Sequence, residues 1–217
     1  YLELFHGIKS PVRSLEDVLK GNLQIDGLPH PLPLFNQYLR EGYYPFSREG
    51  YFQQRLQQVI QFTMENDIPH FANMTPYPGK KLYRLLGIIA GNVPYKPEAT
   101  SLASELKISR NDIPTFLLYM EKAGMIGQLR DQTGGMRGLG KTEKVVLDNT
   151  NLIYVMSGEN ANVGNVRETF FYNQTRLTQP VTSSKVSDFQ IGKYTFEAGG
   201  KKKGKKQVKD IDNAYVA

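Results

Sequence analysis

The stretch that most constrains the fold is Ser187 to Gln207, where two short alternating runs flank Gly192 and Lys193 and end in a cluster of lysines. The alternation predicts a hairpin turning at Gly192 and Lys193, which brings Asp188 and Glu197 to one edge of a small sheet. Two carboxylates placed in this way are a means of building a divalent-metal site. Gly199 and Gly200 follow, and then five lysines in the six positions from Lys201 to Lys206. A flexible, positive segment of this kind gives phosphate-sized anions a place to approach.

The positive charge is concentrated there. Of the 27 basic and 21 acidic residues, eight lysines and four acids lie between Val181 and Ala217, so most of the net +6 belongs to this end. The chain has 217 residues, 40% of them apolar, enough for one large or two small cores. No cysteine is present, which removes disulfides, thiolate zinc sites and cysteine nucleophiles. His6, His30 and His70 lack metal-motif spacing and read as ordinary residues. With no apolar run of spanning length and no signal-peptide pattern, the expectation is a soluble cytoplasmic protein that does not engage a membrane.

From the start of the chain, Tyr1 to Phe5 reads as the end of a helix, and Ser14 caps a short helix within Ser10 to Asn22. Leu32 to Arg40 is a second short helix, followed by a turn at Gly42 to Phe46. Phe52, Leu56, Val59, Ile60 and Thr63 repeat at helical spacing between Gly50 and Asn66. After a boundary at Pro76 to Gly79, helices are predicted at Lys80 to Ala90, Ser101 to Leu106 and Asp112 to Ala123, the last capped by Ser109 or Asn111. Strands at Gly124 to Leu129 and Lys144 to Leu147 enclose a glycine-rich loop, and three helices with a two-stranded wing make a winged helix-turn-helix. Its third helix exposes Arg110, Asn111, Asp112, Thr115 and Lys122, only weakly basic for a major-groove reader, with Arg130 and Arg137 adding charge in the wing. Gly135 to Thr142 matches the spacing of a phosphate-binding P-loop, but a strand follows it where a helix is required. It reads as a wing loop that matches by chance.

Beyond the wing, the apolar run Leu152 to Met156 leads into a loop at Ser157 to Asn162. A helix from Gly164 to Gln174 follows, with Phe170 and Phe171 facing inward. Strands ending near Asp188 and Glu197, a helix through Lys205 to Val208 and a last strand at Ala214 to Val216 complete the chain.

Taken together, Leu34-Phe35-x-x-Tyr38-Leu39-x-x-Gly42-Tyr43-Tyr44-Pro45-Phe46, Lys144-Val-Val-Leu-Asp148-Asn149-x-Asn151-Leu152, Gly164-x-x-Arg167-Glu168-x-Phe170-Phe171, Ser187-Asp188-Phe189 and Phe196-Glu197-x-Gly199-Gly200-Lys201-x-Lys203 make the chain similar to the C-terminal region of prokaryotic AAA+ ATPases. That resemblance implies an ATP-hydrolysing module preceding Tyr1, so that ATP enters only through it, in cis. It also implies that the last third is similar to the PD-(D/E)xK nuclease fold, with Glu168, Asp188 and Glu197 as its acids, Asp188 and Glu197 holding Mg²⁺, and Lys201 orienting the water. The lysine spacing departs from that pattern: Gly199 stands two residues after Glu197, and Lys201 would lie about 13 Å along an unbroken strand.

The expected fold class is α+β: a helical segment at 1–78, a winged helix-turn-helix at 79–148 and a nuclease-like α/β domain at 149–217. Two functions follow. One is a region that docks nucleic acid or a protein partner, with Arg110, Asn111, Lys202, Lys203, Lys205 and Lys206 on nucleic acid. The other is a Mg²⁺-dependent nuclease using Glu168, Asp188, Glu197 and Lys201.

Overall fold

The computed structural model describes residues 1–21, 24–74, 78–131, 141–199 and 211–217. Short helices open the chain. α1 (Leu2–His6) stops at Gly7, and α2 (Leu15–Leu19) starts from a reciprocal box in which Ser14 Oγ accepts from the Asp17 amide while the Asp17 carboxylate accepts from the Ser14 amide. α3 (Pro31–Gln37) runs into a π-helical turn at Tyr38–Gly42.

In α4 (Phe52–Phe62) and α5 (Ile68–Phe71), joined by a second π-helical turn at Thr63–Asp67, Phe52, Leu56, Ile60, Met64 and Ile68 are buried at four-residue spacing, and Pro69 is buried beside Ile68. A strict four-residue repeat gains about 40° per step on an ideal α-helix. The wider π-turn takes up part of that excess and keeps the stripe on one side. Val59, expected in the stripe, is 44% exposed, and Met64 rather than Thr63 enters the core.

α6 (Pro78–Gly91), α7 (Ala99–Leu106) and α8 (Asp112–Lys122) follow. The Glu98 carboxylate caps α7 by accepting from the Thr100 and Ser101 amides. At α8 neither expected cap acts as expected. Asn111 occupies the cap position without a side-chain bond to the helix, and Ser109 Oγ accepts from the Asn111 amide instead. β1 (Ile126–Arg130) and β2 (Thr142–Leu147) pair antiparallel, with Ile126 opposite Leu147. Tyr95, between α6 and α7, exchanges backbone hydrogen bonds with Val145, so β2 is flanked on both sides.

The run Leu152 to Met156 lies in a helix, α9 (Thr150–Ser157), capped by Asn149 and packed against α4, α6 and the Tyr38–Gly42 turn. α10 (Val163–Thr175) starts from Asn162, whose Oδ1 accepts from the Gly164 and Asn165 amides. Its two phenylalanines serve different neighbours. Phe171 packs on Phe189 and Phe196, both at 5.0 Å, while Phe170 meets Phe35 and Tyr38.

Among the described residues the second sheet has the order β3 (Thr182–Ser183), β4 (Phe189–Ile191), β5 (Tyr194–Glu197), β6 (Ala214–Val216). β3, β4 and β5 pair antiparallel in turn, and β6 runs parallel to β5. Gly192, at φ 54, is the first of the two residues turning β4 into β5, a conformation that costs glycine little. One apolar core runs from Leu39 to Ala198 and joins helices α4 to α10 to both sheets. The protein is thus mixed α+β with small sheets. Among the described residues no helix is long and apolar enough to cross a membrane.

Candidate functional site

The hairpin sets Phe189 opposite Phe196, and beyond that pair the ladder departs from its register, the Asp188 amide donating to the Phe196 carbonyl at 3.2 Å. Asp188 and Glu197 both lie at the open end of this hairpin. Both are engaged by donors of the chain itself. Asp188 Oδ2 accepts from the Ala198 amide at 3.0 Å, and Oδ1 faces Lys144 Nζ at 3.4 Å. Glu197, 4% exposed, accepts from Ser187 Oγ at 2.7 Å.

Glu168 is carried by α10, one turn before the Phe171 ring that packs on Phe196. Strand alternation turns Glu197 to the side of β5 opposite Phe196. Among the described residues, no group of three His, Asp or Glu side chains is placed to hold a metal ion. Of the residues expected to hold Mg²⁺, Asp188 Oδ2 and Glu197 Oε2 thus already accept hydrogen bonds from the chain itself. β5 ends at Glu197. Lys201, Lys202, Lys203, Lys205 and Lys206, the helix expected at Lys205 to Val208, and most of the P-loop-like stretch with Arg137 lie outside the described residues.

At α8, Arg110 and Asn111 are exposed at the start of the helix, but its outward residues also include Asp112 and Leu118, the latter 42% exposed. Arg130 is not available to the wing surface in the way its position suggests. It pairs with Glu121 at 2.6 Å, and Glu121 also accepts from the backbone and side chain of Gln128. This contact binds the hairpin to α8.

The most heavily bonded polar group joins the Tyr38–Tyr44 region to the end of β2 and to α10. Asn151 Oδ1 accepts from the Tyr43 amide at 2.9 Å, and its Nδ2 donates to the Tyr38 and Leu39 carbonyls at 3.0 and 2.9 Å. Asn149 Nδ2 donates to Tyr44 Oη and lies 3.3 Å from Asp148 Oδ2. Arg176 pairs with Asp148 Oδ1, and Asn173 donates to the Asp148 carbonyl at 2.8 Å. No site is expected here from the sequence. Asn149, Asn151 and Asn173 carry no local pattern beyond their flanking apolar runs, and their partners are distant in the chain.

Burial pushes the Tyr44 hydroxyl up to about 12, against the opposing pull of the Asn149 hydrogen bond, and burial also raises Tyr38 and Tyr172. These tyrosines stay neutral in the folded chain at a pH where the unfolded chain ionises them. Their contribution is complete below about pH 10 and is lost as the pH rises toward 12. The urea midpoint is expected to fall between pH 9.5 and about 11.5, and Tyr44→Phe should flatten the fall. An unchanged pH profile in that variant would count against Tyr44 as a contributor.

A family model matches residues 32–163, more than half the chain. The chain belongs to the family described as Domain of unknown function (DUF8612). The DUF8612 match includes Tyr38, Tyr43 and Tyr44 and their partners Asp148, Asn149 and Asn151, so two sides of the polar group lie within one family segment. The same segment crosses positions 78/79 and 148/149, where the sequence suggests domain boundaries, and stops before β3. Neither the curated proteins nor the solved structures yield a match to the chain.

Proposed function

We propose that this DUF8612 chain is a docking region for the phosphate backbone of nucleic acid, working in cis beside the ATP-hydrolysing module of an AAA+ protein, and that it does not itself cleave phosphodiesters. The observation that carries the non-catalytic part is the engagement of the hairpin acids by hydrogen-bond donors of the chain: Asp188 by the Ala198 amide and Glu197 by Ser187. The succession α6, α7, α8, β1, β2 supports reading the middle of the chain as a winged helix-turn-helix. The succession α10, β3, β4, β5, β6, with only the last strand pair parallel, supports reading the last third as nuclease-like. Arg110 and Asn111 then assist as backbone contacts rather than base readers, because Asp112 and Leu118 share their helix face.

A second reading is a protein partner at α8. It is favoured by Phe71, 72% exposed, which stacks edge-on against Tyr119 beside the exposed Leu118.

The deciding measurement is fluorescence anisotropy of labelled single- and double-stranded oligonucleotides across a salt titration, with and without Mg²⁺ or Mn²⁺. Backbone docking gives binding that weakens steeply with salt, varies little with sequence and needs no divalent ion. Absence of binding at low salt would transfer the case to the protein partner. Cleavage that requires a divalent ion and disappears in Glu197→Ala would establish the nuclease instead.

A further inference from the structure

Between the β1–β2 hairpin and the β3–β4 edge lies a cleft of about 600 Å³ that receives three lysines from three separate segments, Lys96, Lys144 and Lys185. The backbone explains the first two. Tyr95 and Val145 exchange hydrogen bonds at 2.8 and 2.7 Å, and that antiparallel register, carried one residue on, sets Lys96 across from Lys144. Like charges facing each other across a strand pair repel, so the arrangement is costly unless an anion lies between them. Asp188 supplies one anion, and only to Lys144. Lys96 and Lys185 are exposed and have no hydrogen-bond or ion-pair partner among the described residues.

The Lys144 contact is itself weak for its surroundings. Both side chains are only 15% exposed, yet the nitrogen and oxygen stand 3.4 Å apart. A charge-assisted bond closes to about 2.7–2.9 Å when well made. Lys144 is therefore held near Asp188 without being tightly bound to it, and a stronger acceptor entering the cleft can take it.

We infer that this cleft binds a phosphodiester group of single-stranded nucleic acid through Lys96, Lys144 and Lys185, and that Asp188 competes with the phosphate for Lys144. The inference rests on the docking reading above and gives it a location that includes neither α8 nor the lysine run. Asp131 and Glu143 also line the cleft. With Asp188 they make three carboxylates against three lysines, a balance that suits a singly charged diester better than a multiply charged nucleotide. The hydroxyl of Ser183, also in the lining, adds a donor for a phosphate oxygen.

The test uses the whole chain and a fluorescein-labelled oligothymidylate, with affinity followed against salt. Lys96→Gln and Lys185→Gln change exposed side chains, so folding is preserved. Each should weaken binding and lower the slope of log K against log salt by about 0.7, the value for one phosphate contact on a single strand. Asp188→Asn should tighten binding in the wild-type background and change nothing further in a Lys144→Gln background, a dependence that a purely structural Asp188 would not produce. If the wild-type chain binds the probe and both exposed variants match its affinity and slope, this location is wrong while docking elsewhere stands. If the wild-type chain does not bind at low salt, the docking reading fails and takes the cleft with it. Displacement of the probe by submillimolar inorganic phosphate at matched ionic strength, lost in Lys96→Gln, would make this a free-phosphate site and overturn the nucleic-acid assignment.

Discussion

Asp148→Ala is expected to lower the stability of the chain by about 3–5 kcal/mol, because it strands the partly buried Arg176 guanidinium without its counter-charge. Asp148 is 4% exposed overall, and its oxygens are shared between Arg176 and Asn149. Its carbonyl also receives Asn173, so β2, α9 and α10 converge on one residue. The pair Arg55 and Glu49 serves as a control: its side chains are 45% and 61% exposed, and removing it should cost less than about 1 kcal/mol. Arg176→Met in the Asp148→Ala background should recover much of the loss, since an apolar side chain of similar volume carries no charge to strand. Urea midpoints of the three variants and the parent chain measure this. Equal shifts for Asp148→Ala and Glu49→Ala would show that burial does not set the value of the inner pair.

The difference between these two ion pairs also marks the limit of what the residues disclose in order. Local chemistry is legible: Ser14 reads as a helix cap, and Gly192 between alternating runs reads as a hairpin, which β4 and β5 form. The four-residue apolar spacing in α4 was visible, but the π-turn that sustains it was not, since an inserted half-residue of twist leaves no residue type behind. Leu152 to Met156 includes two β-branched residues, Ile153 and Val155, and gives no clear period in so short a window. Tertiary packing against α4 and α6 fixes it as helix α9.

The candidate site divides in the same way. That Asp188 and Glu197 both fall at the open end of the β4–β5 hairpin follows from the two-residue turn at Gly192 and Lys193, a local rule. That Lys144 faces Asp188 depends on how two separate sheets dock, and the sequence offers only a lysine at the start of a strand. The place of Glu168 relative to the hairpin acids is likewise beyond a local rule: it belongs to a helix whose Phe171 packs on Phe196, and no spacing rule links that ring to the side of β5 on which Glu197 lies.

The docking of the hairpin on α10 gives the other large expected effect. A Cβ added at Gly127 would lie 2.1 Å from Cε1 and 2.6 Å from Cζ of Tyr172, so Gly127→Ala cannot be accommodated while that ring keeps its place. Tyr172 is 6% exposed and has little room to swing outward. Forcing one methyl group into such packing should cost about 1–3 kcal/mol. Tyr172→Ala alone should cost about 3–5 kcal/mol through the cavity it leaves. The two changes should not add: once the ring is gone, the methyl group at position 127 enters the space the ring vacated, and the double variant should be no less stable than Tyr172→Ala. A sum of the two single losses would mean that Gly127 is required for some reason other than the ring, and the account of the hairpin seated on α10 through this contact would fall.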